Sequence, residues 1–152
     1  MVILHNIRSA HNVGSIFRTS EAVGVSKIYI SGYTPAPVDE FLRENKKISK
    51  TALGAEKMVG WGKTKLSVSK LINKLKSDKF FVFAVEQNEK SIDYREIKKT
   101  KKMVFVFGNE VRGLSKQILG CCDKILEIPM SGKKESLNVS VSVGIVLFRA
   151  LD

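Results

Sequence analysis

Ile128-Pro129-Met130-Ser131-Gly132-Lys133-Lys134-Glu135-Ser136-Leu137-Asn138-Val139-Ser140 joins two elements of different period. The apolar run 124–128 leading into it reads as a strand, and Pro129, with no N–H to give to a ladder, ends that strand. Gly132 permits a sharp turn, and Ser136 or Asn138 supplies the side-chain oxygen that caps a helix running from 138 to the C-terminus. Valine-rich, that helix is disfavoured by propensity, yet its apolar coverage predicts burial or an interface. A loop of this kind at a strand end presents backbone donors and acceptors to a flat ring such as adenine, while its apolar residues cover the ring's faces.

Toward the N-terminus, short apolar runs rich in β-branched and aromatic residues recur at 2–6, 27–31, 80–85 and 103–107. They alternate with segments of helical period, which predicts an α/β domain with a mostly parallel sheet. Their unbroken apolar character predicts burial on both faces. Between the first two, Val13, Ile16, Phe17 and Val23 form a helical stripe, with Asn12 as the expected N-cap and Gly24 as the stop. Residues 66–79 read as an amphipathic scaffold helix with Leu71, Ile72 and Leu75 inward, and 115–121 as a further helix. The segment 34–62 opens with Pro35 and Pro37; a short helix is expected over 38–43, and 50–56 has no clear period. With 152 residues, 43% of them hydrophobic, and no repeat or low-complexity tract, the chain is expected to form one domain over 1–152.

Against 15 Asp and Glu stand 26 Lys and Arg, a net charge of +11. The excess is clustered at Lys46, Lys47 and Lys50, at Lys98, Lys99, Lys101 and Lys102, and at Lys133 and Lys134. Clustered cations suit a polyanion, and nucleic acid is the first partner they suggest, without choosing RNA or DNA. Cys121 and Cys122 are adjacent and lack zinc or redox spacing, so a buried structural role in a reduced, cytoplasmic compartment is expected. His5 and His11 are the only histidines, which makes a metal site unexpected. The opening Met1-Val2-Ile3-Leu4, followed at once by a polar stretch, does not read as a signal peptide, so none is expected, and no apolar run approaches the roughly 20 residues of a membrane span.

Two further loops follow predicted strands, where open α/β sheets place their ligands. The first is Asn6-Ile7-Arg8-Ser9-Ala10-His11-Asn12-Val13-Gly14-Ser15-Ile16-Phe17-Arg18-Thr19. A helix N-terminus near Asn12 with Arg18 beside it would suit a phosphate; alone, the pair reads better as a cap and a solvated arginine. The second is Phe107-Gly108-Asn109-Glu110-Val111-Arg112-Gly113-Leu114-Ser115. It approaches the nucleotide-binding pattern G-x-x-x-x-G-K-[ST], but Leu114 stands where the lysine is needed, which argues against an NTPase.

The three loops together resemble the motifs of the SPOUT class of methyltransferases, in its SpoU or TrmH branch of RNA ribose 2′-O-methyltransferases. Asn12 with Arg18 matches the first motif, Gly108-Asn109-Glu110 with Gly113 the second, and Ile128-Pro129-Met130 with Ser136-Leu137-Asn138-Val139-Ser140 the third. The resemblance runs from Leu4 to about Phe148. It implies an α/β domain whose C-terminal part is threaded into a deep trefoil knot, and it implies a homodimer. It also implies S-adenosylmethionine held in the knot by backbone at Gly108, Ile128 and Leu137, with Val85 and Met130 as neighbours. Many relatives carry an N-terminal RNA-binding domain, and the chain is expected to lack it.

For catalysis the resemblance assigns the 2′-hydroxyl proton to Arg18, made basic enough by an adjacent RNA phosphate. An arginine is normally never deprotonated, so a second role stays open, in which a charged Arg18 fixes the phosphate and stabilises the developing alkoxide. Asn12, Glu110, Ser136 and Asn138 match positions around the methyl group. Read without the resemblance, Glu110 would pair with Arg112 or Lys116, and Ser136 and Asn138 would cap a helix. The substrate implied is structured RNA, transfer RNA first because a minimal domain has little surface for more, ribosomal RNA second. A knotted methyltransferase acting on a base nitrogen and a non-catalytic RNA-binding protein of the same fold are the alternatives.

Overall fold

The computed structural model describes residues 1–151. In chain order it runs β1 (Val2–His5), α1 (Ala10–Ala22), β2 (Lys27–Ser31), α2 (Lys46–Ala52), α3 (Ala55–Met58), β3 (Gly60–Lys63) and α4 (Val68–Ser77). There follow β4 (Phe81–Val85), β5 (Ile92–Asp93), a 3-10 turn at Tyr94–Glu96, β6 (Met103–Phe107), α5 (Lys116–Cys121), β7 (Lys124–Glu127) and α6 (Val139–Leu151). The strands form one sheet in the order β3-β2-β1-β6-β4-β7-β5, every pairing parallel.

Parallel sheets are covered on both faces, and β6 at the centre is buried at every position. Alternation divides its side chains between two cores. Phe105 and Phe107 join Val2, Leu4 and Ile28 beneath α1, α2 and α6. Val104 and Val106 join Ile3, Val82 and Ala84 beneath α4 and α5, where Leu71, Ile72 and Leu75 supply the stripe predicted for this helix. Cys121 and Cys122 pack on the rim of the second core, half-buried rather than buried. Burial pushes the Cys122 thiol up to about 12, which leaves little thiolate and little reactivity.

The expected helix over 38–43 does not form. The Asp39 carboxylate accepts from the N–H groups of Phe41 and Arg43, both at 2.9 Å, and Leu42 takes a positive φ of 60°. A side chain that captures local N–H groups in this way competes with the helix, and the segment closes as a bridge between Val38 and Glu44. β3 and β5 lie outside the predicted strands. Gly60-Trp61-Gly62-Lys63 has two glycines, which strands disfavour, but it needs only one partner and pairs along β2 at the sheet's edge.

α1 and α2 approach almost backbone to backbone. A Cβ built on Gly14 would lie 2.0 Å from Thr51 Oγ1 and 2.3 Å from the Ile48 carbonyl. Thr51 Oγ1 donates to the His11 carbonyl at 2.9 Å across the same contact. α2 can therefore lie flat on α1, with Lys46, Lys47 and Lys50 exposed.

β1 is followed by a helix on the first face and β6 by a helix on the second. The two are adjacent in the sheet, so the loops leaving them diverge and open a crevice at the carboxyl ends of the strands, the site at which such sheets bind ligands.

Candidate active site

The loop after β1 begins at Asn6, whose φ of 58° turns the chain out of the sheet. His5 steadies this turn: Asn6 Nδ2 donates to His5 Nε2 at 3.1 Å, which leaves the proton on Nδ1, 3.1 Å from Ser31 Oγ. Burial lowers the His5 pKa, favouring the neutral ring this arrangement needs. Ser9, not Asn12, caps α1, accepting from the Asn12 N–H at 3.2 Å. Asn12 therefore lies inside the first turn, and its side chain is free to bond elsewhere.

The loop after β6 is held by Asn109, which is only 7% exposed. Its Oδ1 accepts from Val111 and Arg112 N–H at 2.9 and 2.7 Å, and its Nδ2 donates to the Asn6 carbonyl at 3.0 Å and to the Tyr33 hydroxyl at 2.8 Å. Gly113 has a φ of +63°, and a Cβ there would lie 2.1 Å from Glu86 Oε2. That same oxygen accepts from Leu114 N–H at 2.8 Å. Asn109 and Glu86 were not among the predicted site residues; Asn109 lies inside the second motif, and Glu86 simply follows β4, with no local pattern to mark it.

With the loop fixed, Glu110 points back at the first motif. Its carboxylate accepts from Arg8 N–H at 3.1 Å, Ser9 N–H at 3.4 Å and Asn12 Nδ2 at 3.2 Å. The alternative expectation, a salt bridge to Arg112 or Lys116, is not what forms. Burial raises the Glu110 pKa, but the backbone donors of Arg8, Ser9 and Glu110 itself and the Asn12 amide outweigh it, so the group ends below its ordinary value. Asn12 Oδ1 then accepts from Asn138 Nδ2 at 3.2 Å, and Asn138 Oδ1 accepts from Ser140 N–H at 2.9 Å at the start of α6. One chain of hydrogen bonds thus links all three motif loops.

The chain segments after β4, β6 and β7 surround a cavity of about 320 Å³, to which the first motif loop is joined through Glu110. Val85, Gly108, Ile128, Met130 and Leu137, the residues expected to hold a cofactor, all line it, as do Glu110 and Ser136. Asn12 and Asn138 stand behind Glu110 and do not line it. Arg18 stands apart, exposed on α1 and outside the cavity. Gln87 Nε2 donates to the Glu135 carbonyl at 2.6 Å and ties the long loop before α6 to the end of β4. Four carboxylates, Glu86, Glu110, Glu127 and Glu135, line the cavity, although the whole chain carries +11. Such walls suit a ligand with positive charge and disfavour one rich in phosphate. Among the described residues no group of three or more His, Cys, Asp or Glu is placed to hold a metal ion, and no helix is long and apolar enough to cross a membrane.

The profile of the SpoU rRNA Methylase family matches residues 1–148. The tRNA (guanosine(18)-2′-O)-methyltransferase of Aquifex aeolicus is 37% identical over 152 residues, which are 99% of this chain and 67% of that protein. Among solved structures, the A. aeolicus TrmH/SpoU tRNA modifying enzyme superposes with a TM-score of 0.85 at 34% identity, covering 99% of this chain and 73% of the other. The AdoMet-bound rRNA methyltransferase from Sinorhizobium meliloti superposes with a TM-score of 0.86 at 28% identity, covering 97% of this chain and 54% of the other. The chain thus spans between half and three quarters of the lengths of these relatives.

Proposed function

The chain belongs to the SpoU rRNA Methylase family, and on that premise we propose that it transfers the methyl group of S-adenosylmethionine to a ribose 2′-hydroxyl of structured RNA. The observation that carries this reading is that the second and third motif loops line one acid-lined cavity, with the first motif loop tied to them by Asn138, Asn12 and Glu110 joined in series.

The residues fit the cofactor. Val85, Ile128, Met130 and Leu137 offer apolar walls, Gly108 backbone, and the carboxylates a counter-charge, in a volume within the usual range for a bound small molecule. When bound, S-adenosylmethionine supplies an electrophilic methyl group on a sulfonium. Glu110, itself in the cavity wall, holds the first loop through Arg8, Ser9 and Asn12, and Ser136 lines the same cavity. Together they orient the ribose, as an in-line displacement requires. Arg18, exposed and on the same helix as Asn12, engages the RNA phosphate beside the reacting nucleotide.

The exposed lysines of α2 supply affinity for the RNA backbone. Transfer RNA is the favoured substrate, in line with the name of the A. aeolicus relative, and ribosomal RNA the second. The working enzyme is a cytoplasmic homodimer with the family's C-terminal knot; exposed Val141 and Phe148 on α6 give it an apolar face to bury.

Purified protein, labelled S-adenosylmethionine and total cellular RNA, followed by digestion to nucleosides, tests the reading. Label is expected in 2′-O-methylnucleosides. Label on a base assigns the chain to nitrogen methylation, and the absence of label makes it a non-catalytic RNA-binding protein.

A further inference from the structure

Tyr33, in the turn that leaves β2, is 58% exposed although both of its polar ends are bonded. A single exposed aromatic is ordinary, but this one is fixed in place. Its N–H donates to Asn6 Oδ1 at 3.2 Å, and its hydroxyl accepts from Asn109 Nδ2 at 2.8 Å. Gly32 makes the first bond possible: its φ is +63°, and a Cβ there would lie 1.8 Å from the same Asn6 oxygen. The phenol is thus held between the first and second motif loops, while more than half of the residue stays open to solvent.

The junction that holds it carries two exposed arginines. The Arg112 N–H donates to Asn109 Oδ1 at 2.7 Å, and the Arg8 N–H to Glu110 at 3.1 Å. Both side chains are exposed, and neither forms an ion pair among the described residues. The carboxylate of this junction, Glu110, is turned to the donors of Arg8, Ser9 and Asn12. On the other side, Gly32 borders a cavity of about 540 Å³ at the ends of β1 and β2, whose lining includes His5, Thr64, Lys65, Ser67 and Gln117 and no carboxylate. Unlike the acid-lined cofactor cavity, this surface suits a strand that carries phosphates.

We propose that Tyr33 is a stacking platform for an unpaired base of the RNA, a neighbour of the nucleotide whose ribose is methylated. Tyr33 does not line the cofactor cavity, but Asn109, which holds its hydroxyl, does. The base on Tyr33 therefore lies beside the reacting nucleotide and is not that nucleotide. Unpaired RNA bases are bound in this way on aromatic side chains, and every base qualifies because each has a π-face. A ring already held at both ends loses little further freedom when a base settles on it. The inference rests on RNA being the substrate, and it deepens that reading by naming a residue that places the strand.

Methyl transfer measured against the concentration of total cellular RNA tests the ring. Tyr33→Leu should raise the apparent KM for RNA about 5- to 100-fold, the span for losing one base stack. It should act much less on kcat, and leave cofactor affinity and cooperative melting intact. Tyr33→Phe keeps the ring and loses only its tether to Asn109, so its KM should rise less. Equal KM defects in the two variants would overturn the proposal, because the hydroxyl would then be the whole role of the residue. A binding readout independent of turnover comes from Tyr33→Trp combined with Trp61→Phe, which replaces the chain's one tryptophan. Total RNA should quench the fluorescence of this protein saturably, and heparin, a polyanion without bases, should not. Equal quenching by both, or by neither, would overturn the platform; a spectral change that follows protein concentration without RNA would overturn it in favour of a contact between copies of the chain. Quenching by RNA without methyl transfer would leave the platform standing and remove the proposed activity; methyl transfer without quenching would remove only the platform.

Discussion

The Asn138 amide donates to the Asn12 side-chain carbonyl at 3.2 Å, across 126 positions of the chain, and Asn12 donates in turn to Glu110 at 3.2 Å. Asn12 is therefore the middle of the series, and removing it disconnects both ends. Asn12→Ala is expected to lower methyl transfer about 10–100-fold, the range for losing hydrogen bonds to a charged group. Cofactor affinity should hold, because Asn12 does not line the cavity. Initial rates and calorimetry on the same variant measure the two effects; a parallel loss of cofactor affinity would show that the series shapes the cavity itself.

Acid should expose the role of Glu110. Its folded pKa lies below the ordinary value of 4.5, so the carboxylate stabilises the fold above that pH and ceases to do so as pH falls through its depressed folded value. Glu110→Gln should melt below the wild type at pH 7 and converge with it in acid. Melting curves at a series of pH values check this, and a constant gap between the two proteins would mean that the donors at Arg8 and Ser9 bind a glutamine equally well.

Gly14 is a packing position. With Thr51 Oγ1 and the Ile48 carbonyl occupying the space of a Cβ, Gly14→Ala must part α1 from α2, at a cost of about 1–3 kcal/mol for overpacking. The melting temperature should fall by roughly 2–12 °C for a chain of this size. An unshifted melt would show that α2 repositions freely.

The exposed Lys46 and Lys47 begin α2. Replacing both by alanine should weaken RNA binding and reduce the slope of log affinity against log salt by roughly one to two units, with cofactor affinity unchanged. A constant slope would make them ordinary solvated charge.

What was legible in the sequence followed from periodicity and short motifs. The strands β1, β2, β4, β6 and β7 and the helices at 66–79, 115–121 and 138 onward are each marked by an apolar run or a cap. β3 was not, because an edge strand needs backbone pairing more than side chains, and glycine hides it. The turn at 38–43 was misread because Asp39 captures N–H groups that a helix would use. At the site, motif matching located the cofactor-binding candidates, all around one cavity. Cap preference placed Asn12 at the helix cap, where Ser9 stands instead, and no short motif gave a sign of Glu86 or Tyr33. Their partners are 28 and 76 residues away, and contacts at that range leave no local pattern.

Arg18 poses the sharpest test of assembly. It is exposed on α1 and outside the cavity of its own chain, while α1 packs against α6, whose Val141 and Phe148 are 49% and 54% exposed. Suppose that two copies meet through this apolar face and that Arg18 of one serves the cavity of the other. Arg18→Ala should then keep cofactor affinity and lose methyl transfer, and Arg18→Lys should be nearly as inactive, because an ammonium does not reproduce the planar fork on a phosphate. Co-expression of Arg18→Ala with Asn138→Ala separates a shared site from a self-contained one. In a mixed dimer with shared sites, one site carries both lesions and the other none. Random pairing makes about half the dimers mixed and leaves half of their sites intact, so activity should return to roughly a quarter of wild type for an isologous interface. If each site is complete within one chain, every site in the mixture carries a lesion and activity stays at the level of the single variants. Sedimentation of the wild type decides the dimer independently: a monomer at assay concentration would remove the interface, and the shared site with it.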